Sequence, residues 1–294
     1  MDGIFCLDKP AGMTSFACCA AMRRLLKEKK VGHAGTLDPM ATGVLPILVG
    51  RAAKALELLP TQEKRYTAGV RFGLTSDTLD IWGQCSPTGA PFPSRAEVEE
   101  ALPAFRGEIL QIPPMMSALK RDGVRLYDLA RQGIEVERAP RPVNIKALGI
   151  LAYDEPAGLL TLDVACSKGT YIRTLCDDLG RTLGCGAVMA SLRRTMAAGY
   201  SLDACAPLEE AQRLAAAGDL PERLLPVESA FSVLPAVRIS GAQARRFQNG
   251  GALDLARVNG QAAGRVRVYS PDGQFLGLGE PADGELRVRY LASV

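Results

Sequence analysis

Alternating apolar and polar positions predict several β-strands along the chain. Residues 64–73 alternate with the period of a strand that buries one face, and Tyr66 lies on the apolar side with Val70 and Phe72. Residues 3–7 form a short apolar run typical of a buried strand. Residues 145–153 and 159–166 predict a strand pair around Gly158.

Helices are predicted where capping residues precede a helical pattern. Ser94 and Glu97 form a capping-box pattern that opens a helix ending near Pro103. Thr14 or Ser15 would cap a helix that runs to about Lys27. The other predicted helices cover residues 51–59, residues 125–132 before Gly133, and residues 170–183 before Gly184.

The strand runs are interrupted by single helices, without the regular alternation that builds a parallel sheet. We therefore expect an α+β protein with a mixed, mainly antiparallel sheet. After Glu228, short apolar runs are separated by glycine-rich turns, which indicates a small β-rich module. The predicted domains are residues 1–231 and 232–294.

Composition narrows the class of protein. The chain has 294 residues, of which 47% are hydrophobic, and this is enough for a full core. No apolar run approaches the ~20 residues that a membrane helix needs. The first ten residues lack a basic leader and a cleavage site, so we expect a cytoplasmic protein. Eight scattered cysteines without a Cys-x-x-Cys pair, and a single histidine, indicate reduced thiols and no metal site.

The net charge of +3 is too small to indicate a nucleic-acid partner by itself. Basic residues do gather in clusters, which could neutralise phosphates if the fold places them on one face. The same clusters could equally be solvated helix faces. They comprise Arg23, Arg24, Lys27, Lys29 and Lys30, then Lys120 with Arg121, Arg193 with Arg194, and Arg245 with Arg246.

Several common catalytic motifs are absent, including the P-loop, H-E-x-x-H and G-x-S-x-G. A Ser-His or Cys-His site would need His33 as its base, and nothing selects its nucleophile. The remaining candidate for a functional site is the glycine-rich segment 31–43, which we predict to be a structured loop. It contains Asp38 before Pro39, which is a common turn pair as well as a possible catalytic acid.

The whole segment 30–43 resembles the catalytic motif of the TruB family of tRNA pseudouridine(55) synthases. Further segments resemble the family in the right order, and together they cover roughly residues 1–200. The sequence departs from the pattern at Ala34 and at the bulky Ile81-Trp82 pair, and the C-terminal module resembles PUA-like domains in outline only. The matching segments are residues 7–15, 64–66, 113–120, 166–174, 177–180 and 192–195.

This resemblance implies an α+β pseudouridine-synthase fold and a reaction without metal or organic cofactor. Asp38 would be the catalytic carboxylate and would pair with Arg173, which favours its ionised form. Tyr66 would stack on the displaced uracil, and Tyr171 would support the same pocket. The carboxylate could act on the ribose as nucleophile or base, or could add to the uracil ring.

The resemblance also implies that the substrate is the T-arm of tRNA, whose target uridine must leave the base stack. His33 would fill the resulting gap or contact RNA nearby. We expect a monomer without membrane or protein partners; the alternatives are a silent RNA-folding factor and an RNA-guided synthase subunit. The predicted phosphate contacts are Lys9, Arg23, Arg24, Lys30 and Lys120.

Overall fold

The computed structural model describes residues 1–60, 63–258 and 263–292. The chain divides into two compact units. Unit 1 consists of residues 1–39, 44–60, 197–258 and 263–292, and unit 2 of residues 40–43 and 63–196. No helix in the described ranges is long and apolar enough to cross a membrane.

The strands of the described residues are numbered in chain order. They are β1 (Gly3–Lys9), β2 (Val31–His33), β3 (Thr42–Val49), β4 (Lys64–Phe72), β5 (Leu74–Ser76), β6 (Cys85–Pro87), β7 (Gly107–Gln111), β8 (Lys120–Arg121), β9 (Val124–Arg125), β10 (Arg141–Asp154), β11 (Leu159–Cys166), β12 (Ala187–Ala197), β13 (Tyr200–Ser201), β14 (Ala206–Pro207), β15 (Ala236–Arg238), β16 (Leu253–Asp254), β17 (Val266–Tyr269), β18 (Phe275–Ala282) and β19 (Glu285–Leu291).

The α-helices are fewer, and short 3-10 turns connect many of the elements. The α-helices are α1 (Ser15–Leu25), α2 (Arg95–Ala101), α3 (Leu126–Arg131), α4 (Ile172–Thr182), α5 (Leu208–Ala217) and α6 (Gly241–Gln248). The 3-10 helices are Gly50–Leu58, Leu102–Phe105, Leu202–Ala204, Leu220–Arg223, Val227–Phe231 and Leu255–Arg257.

Unit 1 is built on neighbouring strands β14, β1 and β3. Strand β1 runs parallel to β14, with Leu7 opposite Ala206. Strand β2 pairs antiparallel with β3, with Gly32 opposite Leu48. Helix α1 covers this sheet because Cys18 and Met22 on its inner face join a hydrophobic cluster with the apolar residues of β1 and β3.

The C-terminal part of unit 1 forms a second sheet with the order β15-β17-β18-β19-β16. Phe247 of α6 and Val268 of β17 lie in its own core. Leu278 and Tyr290 instead join a cluster with Phe231 and other residues of unit 1. The predicted β-rich module is therefore confirmed. Its predicted boundary at residues 231 and 232 stays a prediction, and residues 259–262 and 293–294 lie outside the described residues.

Unit 2 contains the strand order β12-β4-β11-β10-β7. Strands β4, β11, β10 and β7 pair antiparallel, with Tyr66 of β4 opposite Val164 of β11. Strand β12 pairs in parallel with the start of β3, with Arg194 opposite Gly43. Parallel and antiparallel pairs thus coexist, which confirms the predicted α+β class with a mixed, mainly antiparallel sheet.

The helices and strands that were predicted individually are present, but the expectation for segment 31–43 was wrong. The predicted loop 31–43 begins with strand β2 and ends inside β3, because these short segments gain their strand conformation by pairing with each other or with β12. The predicted helix 51–59 is confirmed as the 3-10 helix Gly50–Leu58, which has no side-chain cap at its N-terminus.

Gly43 generates a testable prediction, since its φ of +100° and its contact with β12 both require glycine. A Cβ at this position would lie 2.1 Å from the carbonyl oxygen of Arg194. We expect Gly43→Ala to lower the free energy of unfolding by about 3 kcal/mol through strain and overpacking. Denaturant unfolding monitored by circular dichroism measures this loss.

Gly149 of β10 provides the matched control within unit 2. A Cβ there would meet no atom within 4 Å. Gly149→Ala should therefore change the free energy of unfolding by less than about 1 kcal/mol. Equal losses for the two variants would contradict the role assigned to the close approach at Gly43.

Candidate active site

Asp38 lies on a loop of unit 1 whose backbone is anchored on both sides. The Ser15 hydroxyl at the start of α1 donates to the Leu37 carbonyl at 3.2 Å and accepts from the Leu37 amide at 2.9 Å. On the other side, the Gly12 amide donates to the Pro39 carbonyl at 2.9 Å. Leu37 is buried and Asp38 is half-buried. These bonds therefore hold the backbone on both sides of Asp38, whose side chain is partly accessible.

Lys9 strengthens this anchoring from the end of β1. Its side chain is fully buried, and its ammonium donates to the carbonyls of Pro10 at 2.8 Å, Met13 at 2.5 Å and Pro39 at 2.8 Å. An ammonium has three donors, which match these three acceptors. The predicted phosphate contact of Lys9 is at odds with this geometry, because the group is buried against backbone. Lys9 is instead a positioning residue for the chain that follows Asp38.

The start of α1 is well defined by its sequence. Thr14 is the N-cap residue, and its hydroxyl accepts from the Ala17 amide at 3.0 Å. This capping fixes the first turn of the helix, from which the Ser15 side chain reaches Leu37. A local capping signal in the sequence thereby determines where one anchor of the Asp38 loop begins.

The other predicted RNA contacts of unit 1 lie on neighbouring elements. Arg23 and Arg24 occupy the last turn of α1, Lys30 precedes β2, and His33 ends β2. Arg24 and Lys30 are exposed, whereas Arg23 and His33 are half-buried. The Arg23 guanidinium donates to the Val31 carbonyl at 3.4 Å, which holds α1 against β2. Lys120 is exposed on β8 in unit 2.

Unit 2 contains the predicted aromatic residues of the site. Tyr66 lies on β4 with only 5% of its surface exposed. Tyr171 is the N-cap residue of α4. The buried Gln111 amide holds Tyr171 by two bonds: its nitrogen donates to the Tyr171 carbonyl at 3.1 Å, and its oxygen accepts from the Tyr171 amide at 2.9 Å. Gln111 was missed by the sequence analysis, since its partner lies 60 residues away.

Arg173 lies in the first turn of α4 and is 6% exposed, so it is not an ordinary surface charge. Its guanidinium donates to the Met116 carbonyl at 2.8 Å and to the Thr78 carbonyl at 3.2 Å. The same group lies 3.7 Å from a carboxylate oxygen of Asp80. Arg173 therefore joins two loops of unit 2, around residues 78–80 and 116.

Asp80 is the second residue that the sequence analysis missed. One of its carboxylate oxygens accepts from the Thr78 hydroxyl at 2.7 Å and from the Trp82 amide at 3.2 Å. The other oxygen faces Arg173. Its position within a Thr-x-Asp turn was visible in the sequence, but its distant partner was not.

Unit 2 also concentrates positive charge near the paired ends of its strands. Arg194 is fully buried on β12, and Arg193 donates to the Thr42 hydroxyl at 3.3 Å. Burial lowers the pKa of Lys64 below its ordinary value, and the charge of Arg194 lowers it further. Among the described residues, no cluster of His, Cys, Asp and Glu is placed to hold a metal ion.

The geometry of Lys9 generates a prediction about stability. Lys9→Met removes the donor for three carbonyls and should lower the free energy of unfolding by about 2–4 kcal/mol. Lys120→Met is the control, because Lys120 is exposed and its loss should cost less than about 0.5 kcal/mol. Thermal and denaturant unfolding measure both. A Lys9 variant as stable as the wild type would contradict the positioning role.

Known families and relatives match almost the whole chain. Residues 23–172 match "TruB family pseudouridylate synthase (N terminal domain)". Residues 173–232 match "tRNA pseudouridylate synthase B C-terminal domain". Residues 235–292 match "Pseudouridine synthase II TruB, C-terminal". The last match coincides with the C-terminal sheet.

Two relatives, both named tRNA pseudouridine synthase B, are similar over nearly their full length. The protein of Dechloromonas aromatica is 48% identical over 97% of this chain and 93% of its own. That of Haemophilus influenzae strain Rd is 44% identical over 95% of this chain and 89% of its own.

Solved structures of lower identity show the same fold. A chain in a crystal structure of a Cbf5-Nop10-Gar1 complex aligns with a TM-score of 0.75 at 23% identity, over 99% of this chain and 84% of that one. A chain of the archaeal box H/ACA sRNP Nop10-Cbf5 complex aligns with a TM-score of 0.73, at 22% identity, over 99% and 86%. The family matches and the two relatives carry the assignment: the chain belongs to the TruB family of pseudouridine synthases.

Proposed function

We propose that the chain converts uridine 55 in the T-arm of tRNA to pseudouridine, with Asp38 as its catalytic carboxylate. The relatives' name, tRNA pseudouridine synthase B, supports tRNA as the substrate. The position within tRNA follows from the resemblance of segment 30–43 to the TruB catalytic motif. In this proposal the enzyme is a cytoplasmic monomer that works without a protein partner.

The anchored Asp38 loop is the observation that carries the proposal. Ser15, Gly12 and Lys9 hold the backbone on both sides of a half-buried carboxylate. A turn aspartate with only a local role would not need three anchors from other parts of the chain. A fixed carboxylate suits catalysis, because the geometry is set before the substrate arrives and little reorganisation is needed.

The proposed reaction is an isomerisation in which atoms balance without a second reactant. The N1–C1′ bond of the nucleoside breaks, the uracil turns, and a C5–C1′ bond forms. The C5 proton is lost and N1 gains one. Asp38 assists these steps as an ionised group.

Three residues of unit 2 have supporting roles in this proposal. Arg173 supplies the cation that the family resemblance pairs with the catalytic carboxylate. The Thr78 and Met116 carbonyls fix the guanidinium direction. Tyr66 stacks on the uracil, and Tyr171 supports the pocket from the start of α4.

RNA binding is assigned to both units. Arg23, Arg24, Lys30 and His33 lie on α1, β2 and the segment between them. Lys120 contributes from β8 of unit 2. Contacts of this kind position RNA without reading its bases. The target base itself must leave the stack before the carboxylate can act on it, and His33 fills the gap.

Asp38→Asn tests the catalytic assignment. With a T-arm transcript that carries C5-tritiated uridine, we expect tritium release by the wild type and none by the variant, because the amide cannot act as an anion. Both proteins should bind the transcript. Asp219→Asn, at an exposed aspartate, is the matched control and should release tritium at the wild-type rate. Turnover by Asp38→Asn would refute the assignment.

Salt dependence tests the proposed phosphate contacts. The logarithm of the RNA affinity should fall linearly with the logarithm of salt concentration, since binding displaces counterions. The double variant Arg24→Gln/Lys30→Gln removes two exposed charges and should reduce this slope by about 2. Arg213→Gln is the control, because Arg213 is already paired with Glu210 at 2.6 Å. A flat salt response of the wild type would contradict the proposal.

A further inference from the structure

Two large apolar side chains are exposed on one loop of unit 2. Ile81 is 41% exposed and Trp82 is 44% exposed, and Trp82 is the chain's single tryptophan. A tryptophan side chain offers a large rigid apolar face with an N–H donor, and tryptophan is enriched at binding interfaces. The sequence analysis noted this pair as a departure from the family pattern, and none of the roles proposed above uses it.

The loop that carries Trp82 is held rigidly. The Ile81 amide donates to the Met189 carbonyl at 3.0 Å, and the Met189 amide donates to the Leu79 carbonyl at 3.1 Å. The Gln84 amide donates to the Asp77 carboxylate at 2.8 Å. These bonds fasten the loop to the start of β12, so the indole is presented from a fixed backbone. A partner that binds the indole therefore loses little free energy to the ordering of this loop.

The loop also leads directly to Arg173. The Trp82 amide donates to one oxygen of Asp80 at 3.2 Å, and the other oxygen lies 3.7 Å from the Arg173 guanidinium. Thr78 of the same loop accepts a bond from Arg173. The Trp82 backbone amide and the Arg173 guanidinium thus contact opposite oxygens of the same carboxylate.

We propose that Trp82 is a substrate-contacting residue that stacks on an unpaired base of the bound RNA. The inference rests on the proposed RNA substrate and deepens it. Every base has a flat π-face, and stacking on an exposed aromatic ring is a common way to bind single-stranded nucleotides. The rigid loop carries this ring on the same backbone that holds Thr78 and Asp80 against Arg173, a residue of the proposed site.

Intrinsic fluorescence tests this directly, because all tryptophan emission comes from position 82. We expect titration with an unlabelled T-arm hairpin to quench the emission and to protect the indole from acrylamide. Trp82→Ala should weaken binding of the fluorescently labelled hairpin about 10-fold, and Trp82→Phe less than about 3-fold. Trp82→Leu should behave like Trp82→Ala, since leucine restores apolar bulk but no ring face.

Leu151 provides the control variant. It is 59% exposed on β10, which lies three strands from β12 in the order β12-β4-β11-β10. Leu151→Ala should leave RNA affinity and tritium release unchanged. Unfolding curves of the Trp82 variants should match the wild type, because an exposed side chain is replaced and the amide that holds Asp80 remains.

The outcomes separate this inference from the function on which it rests. If the wild type binds and converts the hairpin while its emission and acrylamide quenching stay constant, the stacking role is refuted and the proposed function stands. The stacking role is also refuted, and the proposed function stands, if Trp82→Leu binds the hairpin as tightly as Trp82→Phe does. If the wild type neither binds nor converts the hairpin or whole tRNA, the proposed function and the inference both fail.

Discussion

The buried ammonium of Lys9 is the interaction on which the Asp38 loop most depends. Burying a charge costs several kcal/mol, and hydrogen bonds to a charged group contribute about 1.5–3 kcal/mol each. Three carbonyl partners therefore offset the cost of burial. One of them belongs to Pro39, the residue after Asp38, so the position of the carboxylate depends on an ammonium at the end of a strand 30 residues earlier.

In unit 2, a buried guanidinium likewise donates hydrogen bonds to backbone carbonyls. Arg173 donates to the carbonyls of Thr78 and Met116, which belong to irregular loops whose backbone acceptors find no partner in a strand or helix. A long cationic side chain can satisfy several such acceptors at once. Irregular loops near a candidate site thus become as well defined as regular secondary structure.

The elements that depend on neighbouring residues were predictable from the sequence. The alternation in β4 and the capping box at Ser94 determine structure within a few positions, and both were confirmed. Lys9 and Gln111 were different, because the sequence shows neither their burial nor partners that lie 30 and 60 residues away. Asp38, Tyr66, Tyr171 and Arg173 were named by resemblance to a family motif rather than by local pattern, and their roles stay predictions.

The order in which the chain leaves and re-enters unit 1 has a consequence for its synthesis. Strand β1 pairs with β14, and Leu7 lies opposite Ala206. The ribosome must therefore add 199 residues after Leu7 before this pair can form. At ordinary translation rates this delay is about 10–40 s. Most of unit 2 is one continuous segment that can fold during that interval. Strand β1 meanwhile has only its other neighbour, β3, which is made early, so this edge of the sheet is completed only when β14 emerges.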